Sequence, residues 1–363
     1  MQKLFNGIYK DKVVLLTGHT GFKGSWLALW LHQLGAKVVG FSKDIPTTPS
    51  HWQVLNLPIV SIIGDIRSQA EIENAIKEHQ PDIIFHLAAQ ALVRYSYKND
   101  LETFTTNIIG TANMLHTALK FPSIKAFVNI TSDKAYENKE WIFGYRENDP
   151  MGGHDPYSAS KGCAELVTAS YRNSYFQHTE KLLASARAGN VIGGGDWAED
   201  RLIPDIFKAT AAKQTAIIRN PNATRPWQHV LEPLSGYLLL GQNLLEGNAT
   251  TAEAWNFGPD DEATRTVLSL AETITKNWKD VAFEIATEES NLHEANLLKL
   301  DCSKSNFFLN WKPVWNFEQT ILYTTNWYKD YLQHKIDNTA ERSLDDLKNY
   351  IKDARNKNIN WTQ

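Results

Sequence analysis

The fold of this chain is decided by the stretch Lys12–Gly24, which reads KVVLLTGHTGFKG. Its first half is a short apolar and β-branched run, as in a buried strand, and three glycines follow at intervals of three residues. Leucines and tryptophans then recur at helical spacing over Ser25–Leu34. A strand, a glycine-rich turn and a helix in this order are typical of a dinucleotide site, because the turn lets a pyrophosphate approach the backbone at a helix N-terminus. A tight turn with no ligand is the alternative.

The same alternation continues along the chain. Further strands are predicted at Lys37–Phe41, Ile59–Ile63, Asp82–Leu87, Ala126–Thr131 and Leu182–Arg187, and helices at Gln69–Glu78, Leu101–Lys120 and Tyr157–Tyr175. This order predicts an α/β fold, a doubly wound parallel sheet of the Rossmann type with helices on both faces. After Gly189 the alternation gives way to glycine and proline clusters, so we expect a smaller mixed domain there. The predicted division is 1–187 for the cofactor and catalytic residues, 188–335 for the substrate, and 336–363 as a peripheral helical tail.

Composition excludes several classes of function. The 363 residues carry a formal charge of −4 and no long run of like charges, so no footprint for nucleic acid or an anionic membrane is expected. Cys163 and Cys302 are far apart and have no metal-site or disulfide spacing, which predicts no metal and a reducing compartment. No apolar segment has the length of a membrane helix or a signal peptide. The expected location is the cytoplasm.

Two short motifs carry candidate chemistry. Tyr157 and Lys161 form a YxxxK at the start of a predicted helix, so the two side chains lie one turn apart on one face. A lysine ammonium beside the phenol favours the tyrosinate, which can then act as a base. A surface tyrosine–lysine pair is the alternative.

Ser132, Asp133 and Lys134 follow a predicted core strand at its carboxyl end, where open α/β sheets bind ligands. A turn followed by a solvated lysine is the alternative there.

The glycine spacing GxxGxxG, combined with YxxxK, resembles the extended short-chain dehydrogenase/reductase superfamily. The resemblance implies a nicotinamide cofactor, with NAD expected over NADP. Asp44 would hydrogen-bond the adenosine ribose hydroxyls of NAD, although Lys43 beside it could instead favour the 2′-phosphate of NADP. The cofactor residues that the resemblance implies are Gly18, Thr20, Gly21, Phe22, Lys23, Gly24, Asp44, Asp65, Ile66, Leu87, Ala88, Ala89, Asn107, Tyr157 and Lys161.

Within that superfamily, Asp133 and Lys134 resemble the acid and base of the sugar nucleotide 4,6-dehydratases. Elimination of water across C5 and C6 of a hexose needs a base for the C5 proton and an acid for the C6 hydroxyl, after C4 has been oxidised to a ketone. Most such dehydratases carry glutamate as the base, and lysine resembles their CDP-glucose branch. The likeness extends through Tyr136–Asn138 and Gly144–Gly153. It implies CDP-glucose as substrate and Ser132, Asp133, Lys134, Tyr157 and Lys161 as catalytic residues.

The resemblance also implies contacts to the sugar nucleotide, from Gln90, Asn190, Arg201, Arg219, Arg225 and His229. Arg219 and Arg225 are the phosphate candidates, because a guanidinium can donate two hydrogen bonds to one phosphate. His229 and Trp227 are equally compatible with packing roles. The two long helices resemble those that pair into a four-helix bundle, which implies a homodimer or homotetramer.

Two rival functions remain open. A 4-epimerase, or a dehydratase for another nucleotide, would share the whole scaffold, but an epimerase has no need of Asp133 and Lys134. A silent dinucleotide-binding protein would have no need of any of the five catalytic candidates.

Overall fold

Seven parallel strands form the main sheet in the computed structural model, which describes residues 1–286, 297–334 and 339–362. Short strands outside it pair two by two. In chain order, the strands are Val13–Thr17 (β1), Lys37–Ser42 (β2), Val60–Ile63 (β3), Ile83–His86 (β4), Ala126–Ile130 (β5), Leu182–Arg187 (β6), Val191–Ile192 (β7), Ala216–Ile218 (β8), Thr224–Pro226 (β9), Gln228–His229 (β10), Ala254–Asn256 (β11), Thr264–Thr266 (β12) and Phe283–Ile285 (β13).

Helices connect these strands. They are Phe22–Gln33 (α1), His51–Leu55 (α2), Gln69–His79 (α3), Val93–Ser96 (α4), Asp100–Phe104 (α5), Gly110–Lys120 (α6), Pro156–Ser174 (α7), Leu202–Ala211 (α8), Leu231–Leu245 (α9), Val267–Asn277 (α10), Ser303–Phe308 (α11), Phe317–His334 (α12) and Thr339–Asn356 (α13). In the described part of the chain, none of them is long and apolar enough to cross a membrane.

The sheet order is β11-β6-β5-β4-β1-β2-β3, with every neighbouring pair parallel. The order reverses around β1 and β4, which is the crevice where doubly wound sheets bind dinucleotides. The predicted Rossmann fold is confirmed. The first six strands lie within one or two residues of their predicted positions, because each is built around a short run of apolar, largely β-branched or leucine side chains.

The seventh strand, β11, comes from beyond the predicted boundary at residue 187 and pairs with β6. Its three residues, Ala254–Asn256, give no strand signal of their own. Here the strand exists because the edge of β6 offers a hydrogen-bonding partner. The sheet is therefore completed by a segment that the sequence division had assigned to the substrate part.

The predicted helix Leu101–Lys120 is α5 and α6 joined by one π-helical turn, Thr105–Ile109. A π turn inserts an extra residue into the helix and is often found at functional sites. This π turn contains Asn107, whose side chain points into the fold and is buried. The turn thus places a polar amide inside the fold, next to α7.

The prediction of a peripheral tail after residue 335 is wrong for residues 339–362. Tyr350 and Trp361 are fully buried and stack on each other at 5.9 Å between ring centroids. The Tyr350 hydroxyl donates to Glu232 in α9 at 2.7 Å. Most charged residues of α13 lie on its outer face, and its apolar face packs into the core together with the buried Asp346, which pairs with Arg342 at 2.8 Å.

Candidate active site

A cleft of about 1030 Å³ lies at the carboxyl edge of the main sheet. Its walls include residues that directly follow β1, β4, β5 and β6. The predicted site residues that line it are Gly18, Thr20, Gly21, Phe22, Lys23, Gly24, Asp44, Asp65, Ile66, Leu87, Ala88, Ala89, Gln90, Ser132, Asp133, Lys134, Tyr157, Lys161, Asn190, Arg201 and Arg225. The structure thus brings together most of the positions expected from sequence, and Asn107, Arg219 and His229 are the exceptions.

The glycine-rich turn at Gly18 closes directly on the end of β4. Gly18 has a φ of +75°, and a Cβ there would lie 2.8 Å from the backbone nitrogen of Ala88. Only glycine fits at this left-handed and crowded position. The turn therefore presents bare backbone to the cleft at the N-terminus of α1, which is the geometry that a pyrophosphate requires.

The far end of the cleft, near Asp44, contains two paired cations. The Lys43 ammonium lies 3.0 Å from Glu102, and the Arg67 guanidinium lies 2.5 Å from Asp65. Arg67 holds the pKa of the Asp65 carboxyl below its usual range, chiefly through their hydrogen bond. Because Lys43 already faces a carboxylate, this end of the cleft favours ribose hydroxyls over a 2′-phosphate.

Ser132 and Asp133 are fixed by the turn that follows β5. The Ser132 hydroxyl accepts from the backbone N–H of Lys134 at 3.2 Å and donates to Asp133 Oδ1 at 2.9 Å. Asn190 donates to the other carboxylate oxygen of Asp133 at 3.3 Å. No described residue forms a salt bridge with Lys134, which lies in the cleft wall. An acid and an amine thus stand side by side on one turn.

Tyr157 and Lys161 project from α7, whose first turn is capped by Asp155. Burial raises the pKa of Tyr157 to about 12, and a hydrogen bond with Ser132 and the charge of Arg201 act in the opposite direction. Burial lowers the pKa of Lys161 to about 8. Burial by itself therefore favours the neutral phenol, and release of its proton depends on the positive charges that share the cleft.

A buried ion pair stands behind these residues. Arg187 donates to Glu165 at 2.8 Å, and Glu165 lies two turns beyond Tyr157 on the same face of α7. The Thr131 and Ser185 hydroxyls also donate to Glu165, which ties α7 to β5 and β6. This network fixes the helix that carries Tyr157 relative to the strand that carries Ser132.

Three cations converge on the cleft from different elements. The pKa of Lys23 is lowered to about 8, chiefly by burial and in part by the nearby charges of Arg201 and Lys161. Arg201 is also held by Asp196 at 3.0 Å. Three positively charged side chains, Lys23, Lys161 and Arg201, thus line one cleft, an arrangement that favours an anionic ligand.

The three exceptions have different causes. The Asn107 side-chain amide accepts a hydrogen bond from the backbone N–H of Gln90 at 2.8 Å and donates to the Gln90 carbonyl oxygen at 3.0 Å and to the Ser160 hydroxyl at 2.8 Å. It therefore positions the cleft wall and is not part of it. Arg219 pairs with Asp200 at 3.5 Å, beside the cleft rim.

His229 requires a correction. It is fully buried, its ring lies 4.8 Å from that of Trp315, and burial lowers its pKa to about 3. It packs the interior and does not reach the cleft. Its sequence context could not reveal this, because the burying residue Trp315 comes from a distant segment.

A glycine fixes the position of Asp133. A Cβ on Gly189 would lie 1.8 Å from Asp133 Oδ2, well inside van der Waals contact. We expect Gly189→Ala to push the carboxylate away from Ser132 and to lower turnover at least about 100-fold, the lower end of what a positioned proton donor contributes. Turnover and thermal unfolding of the purified variant test this. A folded variant with normal turnover would contradict it.

The sequence of this chain is similar to those of known proteins. The family model for GDP-mannose 4,6 dehydratase matches residues 15–324. The chain belongs to this family. The CDP-glucose 4,6-dehydratase of Salmonella typhimurium is 52% identical over 333 residues, which cover 90% of this chain and 92% of that protein.

Solved structures of similar proteins share the fold. An epimerase of Methanothermobacter thermautotrophicus superposes with a TM-score of 0.80 at 24% identity, over 90% of this chain and 94% of that one. The dTDP-glucose 4,6-dehydratase of Bacillus anthracis, solved in complex with NAD, gives a TM-score of 0.71 at 22% identity, over 88% and 97%. At these identities the likeness establishes the architecture alone.

Sequence reasoning missed some residues of the cleft of this family member. Arg94 follows β4 on the short helix α4, and its guanidinium lies 3.6 Å from Asp200. Asp196 is buried and holds Arg201. The signal for Arg94 was its place just after a core strand, at the same sheet edge as Asp133. Asp196 had no such signal, because its role depends on a partner five residues away in a loop.

Proposed function

We propose that the protein is an NAD-dependent CDP-glucose 4,6-dehydratase, which converts CDP-D-glucose to CDP-4-dehydro-6-deoxy-D-glucose and water. The observation that carries the proposal is the placement of Asp133 and Lys134 in the cleft wall, directly after Ser132 and in the same cleft as Tyr157. A 4-epimerase returns hydride to C4 and needs no acid or base at C5 and C6. The relative with 52% identity, a CDP-glucose 4,6-dehydratase, supports the same choice.

Each of the four residues Tyr157, Ser132, Lys134 and Asp133 has its own role in the reaction. Tyr157 takes the proton of the C4 hydroxyl, and Ser132 holds that hydroxyl in place. Lys134 takes the proton from C5, and Asp133 gives its proton to the C6 hydroxyl, which leaves as water. Bound NAD would supply the hydride acceptor for C4 and the hydride donor for C6, and the Lys134 ammonium gives its proton back to C5 as the hydride reaches C6. The product is then a 4-keto-6-deoxy sugar with the cofactor regenerated.

The cofactor proposal rests on the fit of the chain's own residues. NAD suits the backbone exposed at Gly18, the paired Lys43 and the cleft volume of about 1030 Å³. Gly18, Thr20, Lys23 and Asp44 would hold it, with Lys161 near the nicotinamide. Arg201 and Arg225 would hold the diphosphate of the sugar nucleotide.

The test is incubation of the purified protein with NAD and, separately, CDP-glucose, dTDP-glucose, UDP-glucose, GDP-glucose and GDP-mannose, with masses read before and after. Loss of one water from CDP-glucose alone is expected. Loss of water from another donor would keep the mechanism and refute the proposed nucleotide. If no donor changes mass, the dehydratase proposal is refuted, and interconversion of hexose isomers without mass change is then assayed by chromatography.

The pH dependence follows from Lys161. Its buried ammonium has a pKa of about 8 and loses its charge as the pH rises through that value. Since the charge favours the tyrosinate, we expect kcat/KM to fall above about pH 8. A profile at saturating NAD measures this. In Lys161→Arg, whose charge persists, the fall should move to higher pH, and an unchanged fall would assign it to another group.

A dimer is part of the proposal. Leu101, Ile109 and Leu166 lie on α5, the π turn and α7 and are 74%, 52% and 59% exposed, and α7 packs beside α6. Paired with a second copy, these helices would bury the apolar side chains in a four-helix bundle. Light scattering should give the mass of a dimer or tetramer, and Leu166→Asp should lower it. A monomer mass for the unchanged protein would refute the dimer.

A cytoplasmic location is likewise proposed, in line with the two separated cysteines.

A further inference from the structure

Asp133 separates two spaces in the protein. One face of it lines the large cleft, and the other lines a small cavity of about 10 Å³, which is the space that one water molecule needs. Gly189 lies in both walls as well. The lining of the cavity continues to Asp261, whose side chain is 85% exposed and pairs with Lys299 at 2.9 Å. The cavity wall therefore extends from the proposed acid to a residue at the protein surface.

Gln228 forms part of the cavity wall and is 1% exposed. Its Nε2 donates to the carbonyl oxygens of Gly189, at 2.9 Å, and of Phe257, at 3.2 Å. Two carbonyl acceptors fix the orientation of the amide, because only the nitrogen can donate to them. Its Oε1 has no hydrogen-bond partner among the described residues. A buried amide oxygen without a partner is costly, and in native proteins an ordered water usually supplies the missing donor.

The Asp133 carboxyl has room for one more hydrogen bond. Ser132 donates to one of its oxygens and Asn190 to the other, whereas a carboxylate has about four acceptor positions. Both residues line the cavity, so a water there lies beside two side chains with unfilled hydrogen-bond capacity, an amide and a carboxyl.

We propose that the cavity holds one water, which joins Gln228 Oε1 to Asp133 and returns a proton to Asp133 from the solvent side after each elimination. This role rests on the proposed dehydratase function. Gln228 is then a positioning residue, since it acts through the water and touches neither substrate nor cofactor. The water site itself follows from the cavity and the unpartnered oxygen, whatever the reaction.

The proton balance explains why such a route is useful. In each turnover Asp133 gives a proton to the C6 hydroxyl, the C6–O bond breaks, water forms, and the carboxylate remains. The proton from the C4 hydroxyl is meanwhile on Tyr157, on the cleft side, and the proton that Lys134 took from C5 has gone back to C5. For the next turnover, the cavity water donates a proton to Asp133 and takes one from solvent, while Tyr157 releases its proton to solvent. One proton enters and one leaves, so no other reactant is needed.

The first test is a crystal structure of the unchanged protein at high resolution. We expect a water within hydrogen-bond distance of both Gln228 Oε1 and Asp133. A dry cavity, or a water that contacts only one of them, would overturn the proposal. This readout requires no substrate, so it remains decisive even if the dehydratase proposal fails in the nucleotide-sugar assay.

The second test is Gln228→Met, which keeps the length of the side chain and removes the amide. We expect kcat for water loss to fall about 100-fold, as for loss of a positioned proton transfer, with a larger solvent deuterium isotope effect on kcat. KM should change little. The matched control is Gln242→Met in α9, another buried glutamine whose Oε1 has no partner in the described residues and which lines neither space.

The values of kcat and of the solvent isotope effect in this second test show whether protons reach Asp133 through the cavity water. A fall in kcat with an enlarged isotope effect, seen in Gln228→Met and absent from the control, supports it. A fall with no change in the isotope effect would make Gln228 a purely structural residue and overturn the route, as would unchanged kcat. If Gln228→Met does not fold, the high-resolution structure of the unchanged protein decides the proposal by itself, because the absence of the bridging water would overturn it.

Discussion

Replacement of Lys134 by alanine should abolish the loss of water from CDP-glucose while the cofactor still binds. The lysine is the proposed base for C5, and no other described amine lies on the turn after β5. We expect a fall of about 1,000-fold or more, within the range that a positioned base contributes. The C4 oxidation does not need Lys134, so the absorbance of the reduced cofactor should rise and persist. Mass spectrometry and this absorbance measure the two effects separately.

The matched control is Lys139→Ala, an exposed lysine five residues further along that pairs with Glu137 at 3.6 Å. It should leave turnover unchanged, because its pair lies outside the cleft. Normal water loss in Lys134→Ala would refute the assigned base. Loss of cofactor binding in that variant would point instead to a structural role for the lysine.

Replacement of Tyr157 by phenylalanine should suppress the first step. The ring would still fill its buried position at the start of α7, but no group would take the proton from the C4 hydroxyl. We expect a fall of about 100-fold to 10,000-fold in turnover, as for loss of a general base. In contrast to Lys134→Ala, no reduced cofactor should accumulate. The same absorbance measurement in the presence of CDP-glucose separates the two variants.

Tyr175→Phe serves as the control, because Tyr175 lies at the other end of α7 and is exposed. It should behave like the unchanged protein. If Tyr157→Phe reduced the cofactor at the normal rate, the oxidation would need another base, and Lys161 would be the first alternative to examine.

The corrected predictions share a cause. His229, Asn107 and the tail after residue 335 were interpreted from short stretches, yet each is defined by a distant partner. His229 packs against Trp315, and Asn107 bonds the backbone of Gln90 across 17 residues. A polar residue near a motif looks functional in the sequence whether it faces the cleft or the interior.

The sequence by itself determined the parallel sheet, the glycine-rich turn and the chemistry of the YxxxK helix. These are local properties: an apolar run makes a buried strand, glycine permits the conformation at Gly18, and a spacing of four residues places Tyr157 and Lys161 on one face. Residues within one turn or one strand are held in register by the backbone. Their relative positions could therefore be read from spacing alone.

Only the tertiary structure decided which groups meet across the fold. It placed Gly189 against Asp133, added β11 to the sheet, buried α13, and set Gln228 beside the cavity behind the acid. The partners in these contacts are tens to hundreds of residues apart. Their proximity depends on how the elements pack, and packing depends on the burial of surfaces from the whole chain, which no local pattern encodes.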